Sequence, residues 1–159
     1  GLFQEISRLD LVSVRGKRSV INGLQSVEAK KVIERFEFDK NLSFDAVFPF
    51  TYAVDLLEGN LIVSNFNSRL LKKVPHTTHA TLQLIVVGLD FEHQNSFIQN
   101  SSNKITLSLQ NATEADLEFS CALPESPNVF VLLHLEFFQR VNAVDYDLQA
   151  GGLKIVGFQ

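Results

Sequence analysis

The run at 129–141 limits the possible folds more than any other stretch of this chain. Its odd positions are Val129, Val131, Leu133, Leu135, Phe137, Gln139 and Val141, and its even positions are Phe130, Leu132, His134, Glu136, Phe138 and Arg140. Successive side chains of a strand point to opposite faces. The spacing therefore predicts one long strand, apolar along nearly all of its odd face. Its even face passes from apolar at one end to polar at the other, so that face is half covered.

Other segments carry the same period of two. Phe36 and Phe38 alternate with Glu37 and Asp39, and Phe48, Phe50, Tyr52, Val54 and Leu56 follow at every second position. Glu58, Gly59 and Asn60 form a turn signal, with Gly59 available for positive φ, so 50–57 and 60–66 read as a hairpin. Residues 67–73 read as a linker with room for one helical turn, closed by Pro75. The stretch 79–93 is apolar on both faces, as expected of a central strand covered on both sides. Residues 95–103 read as a polar loop around Phe97, followed by amphipathic strands at 104–110 and 115–122. Residues 142–152 read as a loop before a closing strand at 153–158.

Helical spacing is confined to the start. Leu2, Ile6, Leu9 and Val12 predict an amphipathic helix over 2–13 that ends before Gly16, and Ser26 caps a second helix running to about residue 33. The later strands follow one another through turns with no helix between them, which excludes a parallel βαβ architecture. The expected fold is mainly β: an antiparallel two-sheet β-sandwich of seven to nine strands with one or two short N-terminal helices. Residues 1–34 form a helical segment packing on the sheet, and 35–159 the sandwich domain.

Composition narrows the function classes. The 159 residues are 45% apolar and 20% charged, an ordinary globular balance, with fourteen Phe, two Tyr and no Trp. Phe packs well on a pleated surface and reads first as core, second as an apolar groove. A net charge of −4 disfavours nucleic-acid binding by bulk charge. The small basic clusters Arg15, Lys17, Arg18 and Lys72, Lys73 read as solvated loops. Cys121 is the single cysteine, so no internal disulfide forms, and it falls on an apolar strand face. This leans towards a reducing, cytoplasmic setting. No apolar run is long enough for a membrane-spanning helix. Gly1 resembles the residue left by tag cleavage, which points to a natural start, and room for a leader, further upstream.

Few constellations carry chemistry. His76 and His79, with His93 from a nearby strand, are the metal candidates, but a gap of three places two rings on opposite sides of an extended strand. His134 and Glu136 share a face with Arg140, and such a pair serves as general acid and base or, more often on an antiparallel sheet, as a solvent-facing polar stripe. Asp145 and Asp147 flank Tyr146 and offer two carboxylates to a calcium ion, without the further oxygens such a site needs. Asn41, Asn100 and Asn111 open glycosylation triplets. No nucleophile elbow and no phosphate-binding glycine motif is present.

The segments SRLDLVSVRGKR (7–18), SFDAVF (43–48), HATLQ (79–83) and LLHLEFFQRVN (132–142) resemble a family of uncharacterised proteins from Bacteroidota. The resemblance implies a bacterial source and a domain of unknown function; it brings no activity, cofactor or catalytic residue. The expected function is a non-enzymatic binding or assembly module, with no cofactor and with a protein or a second copy as partner. Its expected contact surface is the even face of the long strand: Phe130, Leu132, His134, Glu136, Phe138 and Arg140. A small-ligand or carbohydrate-binding sandwich is the alternative, though the absence of Trp counts against sugar stacking. A metal-dependent enzyme using His76, His79 and His93 is a third.

Overall fold

A computed structural model describes Leu2, Gly23 and residues 28–93 and 96–159. In chain order the elements are α1 (Ala29–Arg35), α2 (Phe44–Val47), β1 (Tyr52–Asp55), β2 (Asn60–Asn67), a 3₁₀ turn (Ser68–Leu70), β3 (His79–Asp90), β4 (Ser96–Ser108), β5 (Glu114–Ser120), β6 (Asn128–Val141) and β7 (Val144–Phe158). The strands form two antiparallel sheets, one of three strands in the order β1-β2-β5 and one of four in the order β4-β3-β6-β7. The mainly β sandwich is thus present, with seven strands among the described residues. The expected helix at 2–13 and the cluster of Arg15, Lys17 and Arg18 lie outside the described residues, apart from Leu2.

The odd face of β6 makes the core. Val129, Val131, Leu133, Leu135 and Phe137 are buried beside Ala80, Leu82, Leu84 and Val86 of β3, and meet Leu61, Val63, Phe66, Leu117 and Phe119 of the smaller sheet. Fully burying each such side chain contributes about 1.5–3 kcal/mol. Cys121 is buried in the same core. On β7 the cross-strand partner of Leu135 is Gly152, and the ring of Phe44 from α2 fills the space a side chain would take there. Ser43 caps α2 by accepting the Ala46 amide.

Five segments depart from expectation. Phe36 and Phe38 lie outside any strand, their rings packed edge to face at 5.0 Å. The strand read from Phe48 begins only at Tyr52, because α2 intervenes; Phe44, Val47 and Phe48 are all buried, so an apolar cluster that mimics alternation is a helical turn under the sandwich. Its neighbour α1 ends at Arg35, two residues later than expected, and Glu28 at its N-cap position gives no side-chain cap. Ser26 is outside the described residues.

The remaining two are strands read as loops. In β4 the polar run Asn100, Ser101, Ser102, Asn103 accommodates a bulge, as pairing jumps from Gln83↔Lys104 to Ile85↔Ser101. The buried Ser102 hydroxyl accepts the Leu84 amide (2.9 Å) and donates to the Asn103 carbonyl (2.8 Å). Replacing Ser102 by Ala strands the Leu84 N–H, so urea unfolding should show a loss of about 1–3 kcal/mol. In β7 pairing with β6 begins at Val144 and skips Leu148 and Gln149, where Gln149 sits at φ 53°.

Asn142 (φ 51°) and Ala143 (φ 64°) form the two-residue turn between β6 and β7, the primed geometry favoured in hairpins. Ala143 carries a Cβ where glycine is strain-free. Ala143→Gly should therefore raise stability by about 1 kcal/mol, seen as a higher Tm.

Candidate functional site

The outer face of the four-stranded sheet, on the side away from the smaller sheet, holds the predicted contact residues. Register fixes the order across it. Phe130 faces Val87 and Phe158, Leu132 faces Ile85 and Ile155, His134 faces Gln83 and Leu153, and Glu136 faces Thr81 and Gly151. Phe138 lies between His79 and Asp147, and Arg140 beside Asp145.

The structure divides the six residues. Phe130 is buried in a small cluster with Ile33 of α1 and with Ile155, so α1 covers that end of the face. Phe138 is also buried: the His79 ring stacks on it at 5.3 Å, and the Arg140 guanidinium lies 5.5 Å from its centroid. These two rings are therefore held by the chain's own side chains. Leu132, His134, Glu136 and Arg140 keep access to solvent.

Three recesses adjoin on this face. An apolar groove of about 380 Å³ is lined by Leu2, Phe36, Phe38, Val87, Leu89, Phe130, Leu132 and Ile155. Next to it, sharing Phe38, a cleft of about 480 Å³ passes over the β7 glycines between Glu37, Asp39, Lys72, His134, Glu136 and Asp147. A third, of about 340 Å³, continues from Glu136 and Asp147 to Thr81, Lys104, Thr106, Arg140 and Asp145.

Within these clefts the charges are partly committed. Glu37 accepts from the Phe44 amide (3.1 Å) and from Lys154 Nζ (3.3 Å), and the Lys154 side chain is only 7% exposed. Arg140 donates twice to Asp145, at 2.7 and 3.2 Å. Asp147 accepts its own loop's Gln149 amide at 2.7 Å. Asp39 and Glu136 have no ion pair with Lys or Arg among the described residues. With the two ion pairs set aside, Asp39, Glu136 and Asp147 face Lys72 and Lys104, an acidic balance.

Hydrogen bonding to Arg140 holds the Asp145 carboxyl below its ordinary value, with His79 adding weakly. A depressed carboxylate pKa gives stability that is complete above the unfolded value and is lost as pH falls through the folded one. Asp145→Asn should therefore flatten the acid limb of the stability–pH curve, a small effect at so exposed a pair.

His134 Nε2 is 3.9 Å from Glu136 Oε1, within ion-pair range and beyond hydrogen-bonding reach. The three histidines named as metal candidates are not brought together as a set. His79 opens β3, and the twelve residues of that strand set it more than about 30 Å from His93 beyond the far end. His93 instead pairs with Asp90 at 2.7 Å, while His79 Nδ1 lies 2.7 Å from Thr78 Oγ1. No group of three metal-ligating side chains occurs among the described residues. Asp145 and Asp147 are tied to Arg140 and Gln149 as above, and Asn100 donates to the Ala122 carbonyl. Burial pushes the Cys121 thiol up in pKa. No helix among the described residues is long and apolar enough to cross a membrane.

Glu37, Asp39 and Lys72 enter the site although the sequence reads the first two only as the polar face of a strand and Lys72 only as part of a solvated basic cluster. They arrive from segments flanking α2 and the 3₁₀ turn, brought to β7 by the burial of Phe44 and Leu71. Asp147 was visible only as half of a calcium candidate. No protein-family model matches the chain, and no curated protein or solved structure is significantly similar to it.

Proposed function

We propose that this chain is a non-catalytic binding module that recognises a partner polypeptide on the outer face of its four-stranded sheet. The observation that supports this reading is the adjacency of an apolar groove and an acidic cleft, joined at Phe38 and built on the paired strands β3, β6 and β7. A peptide with an apolar anchor and a basic side chain matches both. Leu132 and Glu136 are four residues apart on one strand face, about 14 Å, which is the span of four extended residues in a partner. Arg140 is committed to Asp145 and His79 packs on Phe138, whereas Asp39, Glu136 and Asp147 have no Lys or Arg partner among the described residues and are left to meet a basic side chain.

An array of peptides and an array of saccharides probed with the purified chain separate the two binding readings. Basic–apolar peptides should be retained and lost in the double variant Glu136→Lys, Asp147→Lys. Retention of saccharides with no peptide, or of peptides indifferent to the double variant, would overturn the reading.

A further inference from the structure

Resting on the reading of the chain as a polypeptide-binding module, we infer that a partner segment docks as an added strand along the edge of β7 at 144–147, at the acidic end of the site and apart from the apolar groove, and that this segment alternates basic and apolar residues. Sheet edges expose rows of N–H and C=O groups that pair with any extended chain unless blocked. The other edges of this sandwich are blocked or short. The β5 edge is capped by Asn103, whose amide donates to the Glu118 carbonyl (3.1 Å) and accepts from the Ser120 amide (3.1 Å). That same contact occupies β4, where Asn100 also reaches the Ala122 carbonyl, and β1 has only four residues. The later part of β7 is overlain by α2 at Gly152 and by Leu56 at Gly157.

Residues 144–147 differ. All four are exposed, they pair with β6 on one side, and no described strand lies on the other. No Lys or Pro guards them. Asp145 and Asp147 lie on the outer face, while Val144 and Tyr146 (50% and 54% exposed) lie on the opposite face. A second copy in antiparallel register about Tyr146 would set Asp147 against Asp145, whose charge Arg140 already balances, and would bring no free cation to Asp147 or Glu136. A strand with Lys or Arg at alternate positions meets Asp147 and, across it, Glu136, and its intervening apolar residues meet Val144 and Tyr146. Charge complementarity thus favours a foreign basic strand over self-association.

The test uses the whole chain and a nine-residue peptide of alternating Lys and Val. It is compared with a Glu–Val peptide and with two versions N-methylated on all Lys or all Val amides. Lys–Val should bind saturably and slow hydrogen exchange at the edge amides of 144–147. One N-methylated version should bind about tenfold weaker or worse, having lost main-chain donors, and Glu–Val should not saturate. Equal binding of both N-methylated peptides, unprotected 144–147 amides, or no Lys–Val binding each refutes edge docking. If arrayed peptides are still retained, the binding-module reading survives that refutation; if no polypeptide is retained, both fall.

Discussion

Gly151→Ala should abolish soluble, cooperatively folding protein, or leave a chain less stable by about 4 kcal/mol or more. Two independent effects coincide at this position. Gly151 has φ +137°, a region that L side chains rarely adopt, and a Cβ there would lie 2.0 Å from the backbone oxygen of Leu135. That oxygen belongs to β6, the strand pairing Glu136 with Gly151, so it cannot withdraw without breaking the β6–β7 ladder. The neighbour is the control. At Gly152 a Cβ meets only the Phe44 ring edge, at 2.7 Å, and φ lies outside the positive range. A ring on a one-turn helix can shift, so Gly152→Ala should cost about 1–3 kcal/mol. Urea midpoints measure both. Equal costs would show that β7 does not pass β6 in this register.

Removing either member of the Lys154–Glu37 pair should give unequal results. Lys154 lies on β7, paired with Leu133, with its side chain almost wholly buried, while Glu37 is 26% exposed. Glu37→Ala leaves an ammonium in an apolar setting without its counter-charge, and it also removes the acceptor of the Phe44 amide. A loss of about 3 kcal/mol follows. Lys154→Met removes the buried charge and keeps its aliphatic bulk, and the remaining carboxylate can hydrate, so the cost should stay below about 1 kcal/mol. Denaturant unfolding of both variants checks the order. A costly Lys154→Met beside a mild Glu37→Ala would mean that the ion pair contributes through its attraction rather than by neutralising a buried charge.

The fold was legible wherever one strand face is buried and the other is not. In β6 and β5, and in the β1–β2 hairpin around Gly59, inward positions are apolar and the alternation survives intact. It failed where burial comes from elsewhere. The outer end of β7 is exposed on both faces, so Asp145, Tyr146, Asp147 and the bulged Gln149 carry no period of two and resemble a loop. In β4 the polar run exists to fill a bulge and cap β5, functions that take Ser and Asn rather than Val. At 36–50 aromatic clustering imitated a strand, because Phe44, Phe48 and Phe50 pack on one another and on Phe66.

The site was legible in part. His134, Glu136 and Arg140 were marked by their shared face, and Leu132 by its apolar end. That Phe130 and Phe138 are covered could not be read, since one is overlain by α1 and the other by His79, distant in the chain. The acidic character of the cleft depends on Asp39 and Asp147, which meet only after α2 and β7 have folded against each other.

The most direct measurement is an amide chemical-shift map of the chain saturated with a peptide selected from the array. The largest changes should fall on residues 132–140 and 144–149, with the β1-β2-β5 sheet undisturbed. Changes centred on that smaller sheet, with His134, Glu136 and 144–149 unmoved, would contradict the proposed site.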